Sequence, residues 1–302
     1  MSETDQKFWY AKSETQSAKI MIEIQGRDRS VAGVGTVRNY EQSLKTLSDS
    51  LKEQKLCSLN QITPEIAVAY LESRALEVQQ SQLNLDRQAI QCLLKNYNHK
   101  LSGNEKLPVI KSELKQVLES RAYSANQVKY VVYGQSDRNA LSTEIAYACG
   151  LRAHELLTLD RIENRAADVR PAHDSKFTAR EGVSYTVSGK GGLTREIHLP
   201  KNLSERLEER RLETPRDVSD RGIFYKQNYD IGGGNAFSAS FTRASQSQLG
   251  WSHGAHGVRH SYAQERMYEI AKSTGFDHRE CLQVVSQEMG HFRAQITEVY
   301  LR

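Results

Sequence analysis

The stretch M-G-H-F-R-A-Q-I-T-E-V-Y, residues 289 to 300, places His291 nine residues before Tyr300, and its reading decides the fold. Chain ends are usually frayed and polar, so an amphipathic finish bearing an aromatic ring suggests a segment that is held somewhere. Taken alone, the stretch reads as a last helix docking its tyrosine into a core, because buried tyrosines are common and this arrangement by itself carries little information. Working outward, four other positions bear on it. Arg152 lies in G-L-R-A-H-E-L, where Gly150 can end one helix before the next begins. Lys190 sits at the glycine-rich turn of V-S-Y-T-V-S-G-K-G-G-L-T-R-E-I-H-L-P, two alternating runs that predict a β-hairpin. His256 and Arg259 belong to H-G-V-R-H, at the start of a predicted helix. Each has an ordinary explanation: a helix cap or a pair with Glu155, an exposed turn lysine, a chance H-x-x-R.

Their order and local settings taken together resemble the tyrosine recombinases, also called phage-type integrases: arginine at a helix junction, lysine on a hairpin, H-x-x-R-H opening a helix, then G-H and a tyrosine. The resemblance covers about residues 110 to 302. The N-terminal half is similar to that family's core-DNA-binding domain in length and helicity. The implied fold is mainly α with a small β-hairpin or sheet, in two domains, a helical core-binding domain and a mixed α/β catalytic domain that clamp duplex DNA. The implied catalytic set is Arg152, Lys190, His256, Arg259, His291 and Tyr300, acting with neither cofactor nor metal. The implied activity is cutting and rejoining DNA through a 3′-phosphotyrosyl intermediate, on behalf of a mobile genetic element. The implied partners are duplex DNA, a second copy on the recombination site, a tetramer in the synapse, and accessory DNA-bending proteins.

Chemistry supplies a reason for the set. An attacked phosphodiester gains negative charge as phosphorus becomes five-coordinate, so cations must face its non-bridging oxygens. Two guanidinium groups, permanently charged and forked, do this without a metal, and Arg152 and Arg259 are assigned there. His291 would add a third donor. A free phenol has a pKa near 10, so only about one in a thousand is ionised at pH 7 and full use of the phenolate requires roughly 4 kcal/mol of help from its site. His256 would take the phenolic proton or hold the phosphate, two roles the sequence does not separate. Lys190 would protonate the departing 5′-oxygen. In many simple recombinases the chain continues past the tyrosine as a helix that docks on a neighbour. Here Leu301 and Arg302 follow, so Tyr300 is expected to be mobile in the free protein.

The whole chain bounds these readings. Its 302 residues suffice for two domains, and 41 Lys+Arg against 37 Asp+Glu leave a net charge of +4, which permits nucleic-acid binding without demanding it. Cys57, Cys92, Cys149 and Cys281 show no C-x-x-C spacing, which argues against a disulfide framework or zinc knuckle and fits reduced thiols in a cytoplasm, at the nucleoid when DNA-bound. No apolar run approaches the roughly 20 residues that cross a bilayer. G-K-G-G is no phosphate-binding loop: Gly182 precedes Gly189 by seven residues, and Gly191 rather than Ser or Thr follows Lys190. His253, His256, His260 and His291 could ligate a metal, but no carboxylate or cysteine stands at a ligand-like interval. A type IB topoisomerase uses residues of the same kind, and a non-catalytic DNA-binding accessory protein is the third reading.

Val37, Tyr40, Leu44, Leu47 and Leu51 form one helical stripe; Thr63, Pro64 and Glu65 start a second helix; Leu83, Ile90, Leu94 and Tyr97 mark a third. Lys52, Lys55, Arg74, Arg87, Lys95 and Lys100 lie off these stripes and are candidate phosphate contacts, or simply a solvated charged face. Residues 1–30 are expected to be a polar tail, 31–104 the helical domain, 99–108 (H-K-L-S-G-N-E-K-L-P) a linker, and 105–302 the catalytic domain. Further helices are expected at 111–119, 124–134, 138–149, 203–212, 258–271 and 278–288, with I-G-G-G-N at 231–235 a flexible loop.

Overall fold

The computed structural model describes residues 8–27, 31, 33–115, 119–189, 192–291 and 293–302. Two compact units divide the chain between residues 117 and 118. In the first, helices α1 (Ser13–Arg27), α2 (Val34–Glu53), α3 (Pro64–Ala75) and α4 (Gln80–Asn96) surround one apolar core. Helix α2 buries Leu44, Leu47 and Leu51 at the spacing of its stripe. Helix α3 begins as its sequence dictates: Thr63 Oγ1 accepts the Ile66 amide at 3.4 Å and Pro64 occupies the first turn.

The expected polar tail is instead helix α1. Its sequence is mostly polar, yet Ile20, Met21 and Ile24 fall on one face and are fully buried, and Gln16 inside the core accepts from Ser48 Oγ at 3.3 Å. The expected linker also belongs to this unit. Leu101 and Leu107 enter its core, and Arg87 donates to the Leu107 carbonyl at 3.2 Å. No helix forms over 111–115: the Ser112 and Glu113 amides bond to Gln80 Oε1 and the Ala75 carbonyl, both at 2.9 Å, which ties the segment to α3 and α4. Residues 116–118 of that expected helix lie outside the described residues.

In the second unit, α5 (Ala125–Tyr133) and α6 (Asp137–Cys149) lead to a 3₁₀ turn (Glu155–Thr158) and a three-stranded antiparallel sheet of β1 (Asp160–Arg161), β2 (Val183–Ser188) and β3 (Thr194–Leu199). Register pairs Tyr185 with Ile197 and Val187 with Arg195, so these four side chains share the sheet's buried face. Next come α7 (Lys201–Glu208), the ribbon β4 (Arg211–Asp220) with β5 (Ile223–Tyr229), and helices α8 (Gly234–Leu249), α9 (Gly257–Thr274), α10 (His278–Glu288) and α11 (Gln295–Glu298). A final 3₁₀ turn spans Val299–Leu301. Mainly helical, with small antiparallel sheets, this is the expected fold class.

Three expectations need correction here. Helix α7 stops at Glu208 rather than 212, because that carboxylate is held by Tyr185 (2.6 Å), Tyr229 (2.9 Å) and Arg161 (3.0 Å) and the chain turns into β4. The ribbon and α8 carry weak patterns and were not expected. I-G-G-G-N is a packed segment whose last two residues open α8: a Cβ on Gly233 would stand 2.4 Å from Leu157 Cδ2, so glycine there serves close approach. Among the described residues no helix is long and apolar enough to cross a membrane.

Candidate active site

Helix α6 ends at Gly150 in the left-handed conformation, φ 60°, where a Cβ would meet the Tyr262 ring at 2.6 Å. This tight end turns the chain so that Arg152 and Glu155 follow at once. Glu155 is fully buried and holds three guanidinium groups: Arg152 Nη1 at 2.7 Å, Arg195 Nη2 at 3.0 Å and Arg259 Nη1 at 3.7 Å. The Arg152 amide donates to the same carboxylate at 2.8 Å. Burial would raise this carboxyl, yet the opposing charges of Arg195, Arg259 and Arg152 prevail and bring it down to about 2. Arg152 keeps 24% of its side chain exposed and so offers an open cationic face.

Arg259, in the first turn of α9, is completely buried. It donates to the carbonyl of Gly150, to that of Met289 (3.3 Å) and to His291 Nε2 (3.1 Å), while its Nε has no partner among the described residues. Burial, then repulsion from Arg152, lowers its pKa to about 10, so it remains charged at neutral pH. Guanidinium has no acceptor, so His291 Nε2 must accept; the ring proton is then on Nδ1, directed to Thr297 Oγ1 at 2.8 Å. Desolvation and the neighbouring arginines bring His291 down to about 3. In this arrangement the imidazole receives a hydrogen bond from Arg259 instead of offering the third donor expected from the sequence.

Tyr300 completes the site. Its ring lies 4.8 Å from His260, 5.3 Å from His256 and 5.3 Å from His291, with the Arg259 guanidinium 5.4 Å from the ring centroid. The side chain is 8% exposed, and among the described residues nothing hydrogen-bonds its hydroxyl. The terminal turn that carries it packs against α9 of its own chain. His256, the residue before α9, is open to solvent; partial desolvation and the Arg259 charge nevertheless hold it near 4. His260 is buried and also near 4, through desolvation and then the charge of Arg121.

The structure thus brings Arg152, His256, Arg259, His291 and Tyr300 together, and Lys190 lies outside the described residues. Of the four histidines weighed as metal ligands, three face Tyr300, whereas His253 packs against Trp251 at 4.7 Å and Tyr123 at 5.9 Å. Among the described residues no group of three His, Cys, Asp or Glu is arranged to hold a metal. Sequence reasoning missed Arg195, Thr297 and, as the centre of the cations, Glu155. Arg195 was detectable: in T-R-E-I-H-L it alternates with Ile197 and Leu199, which puts a cation on the buried face of a strand.

The candidate phosphate contacts of the helical unit are largely engaged internally. Arg74 sits between Glu77 (2.7 Å) and buried Asp86 (3.6 Å), and Arg87 is bound to Leu107 as described. Lys52, Lys95 and Lys100 donate to the carbonyls of Ala11, Gly103 and Gln61 at 2.5, 2.6 and 2.5 Å, and Lys55 is exposed.

These imidazoles predict an acid-sensitive unit. Between about pH 6.5, the ordinary histidine value, and the values near 4 and 3 of His260 and His291, the unfolded chain binds protons that the folded chain refuses. Stability is therefore complete above pH 6.5 and is lost as pH falls toward 4; Glu155 extends the loss below its ordinary 4.5 toward 2. The urea midpoint should drop from pH 7 to pH 4.5, less steeply in His291→Gln. An unchanged midpoint over that range would contradict buried neutral rings.

No family model and no curated protein sequence matches the chain. Solved structures do. The XerH site-specific recombinase, bound to palindromic difH substrate in a post-cleavage complex, is 18% identical with TM-score 0.58, over 97% of this chain and 82% of that one. The Tn1549 transposon integrase with transposon right end DNA is 15% identical with TM-score 0.55, over 97% and 95%. A lambda integrase dimer bound to a COC′ core site is 16% identical with TM-score 0.54, over 89% and 71%. Across both units, the chain has the fold of the tyrosine recombinases.

Proposed function

We propose that this protein is a site-specific DNA recombinase in which Tyr300 attacks a phosphodiester and conserves the bond as a 3′-phosphotyrosyl link. The observation that carries the proposal is the enclosure of one tyrosine ring by Arg259 and the His256, His260 and His291 imidazoles, beside the open guanidinium of Arg152. The phenolic oxygen forms a bond to phosphorus as the bond to the 5′-oxygen breaks. His256 is unprotonated at neutral pH and solvent-facing, so its ring nitrogen can accept the phenolic proton. Arg152 and Arg259 carry the charge that develops on the non-bridging oxygens. The departing 5′-oxygen takes a proton from Lys190, a role that rests on the resemblance. Neighbours in this fold include a lambda integrase dimer on a core site and a tetramer on a Holliday junction, which supports assembly of this chain on DNA in the same numbers.

Two experiments test this reading. Sites selected from random duplexes, then nicked so that religation fails, should trap the protein as a covalent adduct on a denaturing gel. Relaxation of any supercoiled plasmid without site preference would favour a topoisomerase instead. If cations of both units make about 6 to 10 phosphate contacts, affinity should fall roughly 10³- to 10⁵-fold between about 50 and 200 mM salt. A flat salt response in a binding titration would exclude such a contact set.

A further inference from the structure

His256, which caps helix α9, and residues 260 and 264 within it follow one another at four-residue steps along one side. The first two meet the Tyr300 ring from the side. The third, Gln264, meets its backbone: Nε2 lies 3.2 Å from the Tyr300 carbonyl and 2.9 Å from the main-chain oxygen of Arg302, with Ser120 Oγ more distant at 3.4 Å. A carboxamide nitrogen has two protons, so two acceptors satisfy it, and the nearer pair are both main-chain oxygens of the terminal segment. At the other end of the segment, Thr297 is fully buried and bonded to His291 at 2.8 Å. The tyrosine is therefore bracketed, by His291 through Thr297 before it and by Gln264 behind it. Because Arg259 is carried by the same helix, the ring and the guanidinium are referenced to one rigid element.

We infer that Gln264 is a positioning residue: by gripping the main-chain oxygens of residues 300 and 302 it fixes where the Tyr300 hydroxyl stands relative to the Arg152 and Arg259 guanidinium groups. It touches no substrate and acts only through the tyrosine's main chain. The inference rests on the proposed strand-transfer reaction for its catalytic consequence, whereas the grip itself is independent of that reaction. A displacement on the order of 1 Å at a reacting atom costs about a hundredfold in rate.

The test uses the full chain with Gln264→Ala, Gln264→Glu and Gln264→Lys. In the free protein, hydrogen exchange should accelerate over residues 295–302 in the alanine and glutamate variants and stay unchanged in helix α10. With nicked DNA, the single-turnover cleavage rate should fall about 10- to 100-fold while the DNA concentration for half-maximal rate is preserved. Lysine, which restores a donor, should recover part of both. Unchanged exchange in the alanine variant overturns the grip. Faster exchange with a wild-type cleavage rate, or an equal loss of rate and DNA affinity, overturns the positioning role. Should the wild-type protein form no adduct at all, the recombinase reading fails, and exchange alone still decides whether Gln264 holds the turn.

Discussion

A Tyr300→Phe variant is expected to fold, bind DNA as the parent does and form no covalent adduct. The substitution removes one oxygen and keeps the ring that packs against His256, His260, His291 and Arg259. Because no described residue hydrogen-bonds the hydroxyl, its loss strands no buried partner, and stability should stay within about 0.5 kcal/mol of the parent. All the chemistry proposed here passes through that oxygen, so loss of adduct should be complete. Thermal melts, a binding titration and the denaturing gel read the three parts separately. An adduct of normal yield would move the nucleophile elsewhere. A collapsed melt would mean that the hydroxyl is structural.

Arg152→Ala should slow cleavage by on the order of 10³ or more, equivalent to about 4 kcal/mol of lost transition-state stabilisation, while DNA affinity changes little. Arg152 is the cleaner of the two arginines to test. Arg259 is wholly buried and links Gly150, Met289 and His291, so its removal disturbs packing as well as charge. Arg152 is partly exposed, and Glu155 retains Arg195 and Arg259 when it is gone. Arg152→Lys preserves the charge without the fork and should recover only part of the rate. Single-turnover cleavage under saturating DNA is the measurement. A proportionate loss of affinity would instead make Arg152 a residue that anchors the DNA.

The sequence made the site legible where chemistry and spacing coincide and left it obscure where support comes from distant segments. His256 and Arg259 share the start of a helix, and Gly150 forces a turn before Arg152, so their settings could be read locally. Glu155 was visible as a neighbour of Arg152, but its bond to Arg195 joins residues 40 apart in sequence and needs the register of β2 with β3 to be seen. Gln264 was invisible, since nothing in its local pattern announces a partner at residue 300. In the fold, strong stripes such as Leu44, Leu47 and Leu51 marked their helices. Helix α1 was hidden by a polar composition carrying a short apolar stripe, and 111–115 resemble a helix until their amides are seen bonded to the helical unit. The β4–β5 ribbon, with most of β4 exposed, lacks the alternation by which half-buried strands are recognised.

The account stands or falls on which atom joins the DNA. Nicked duplex bearing a selected site, incubated with the full chain, digested with protease and nuclease and read by mass spectrometry, should show a nucleotide on the peptide containing Tyr300, joined through its phenolic oxygen. A nucleotide on any other residue, or a cleaved site with no attached peptide, would contradict it.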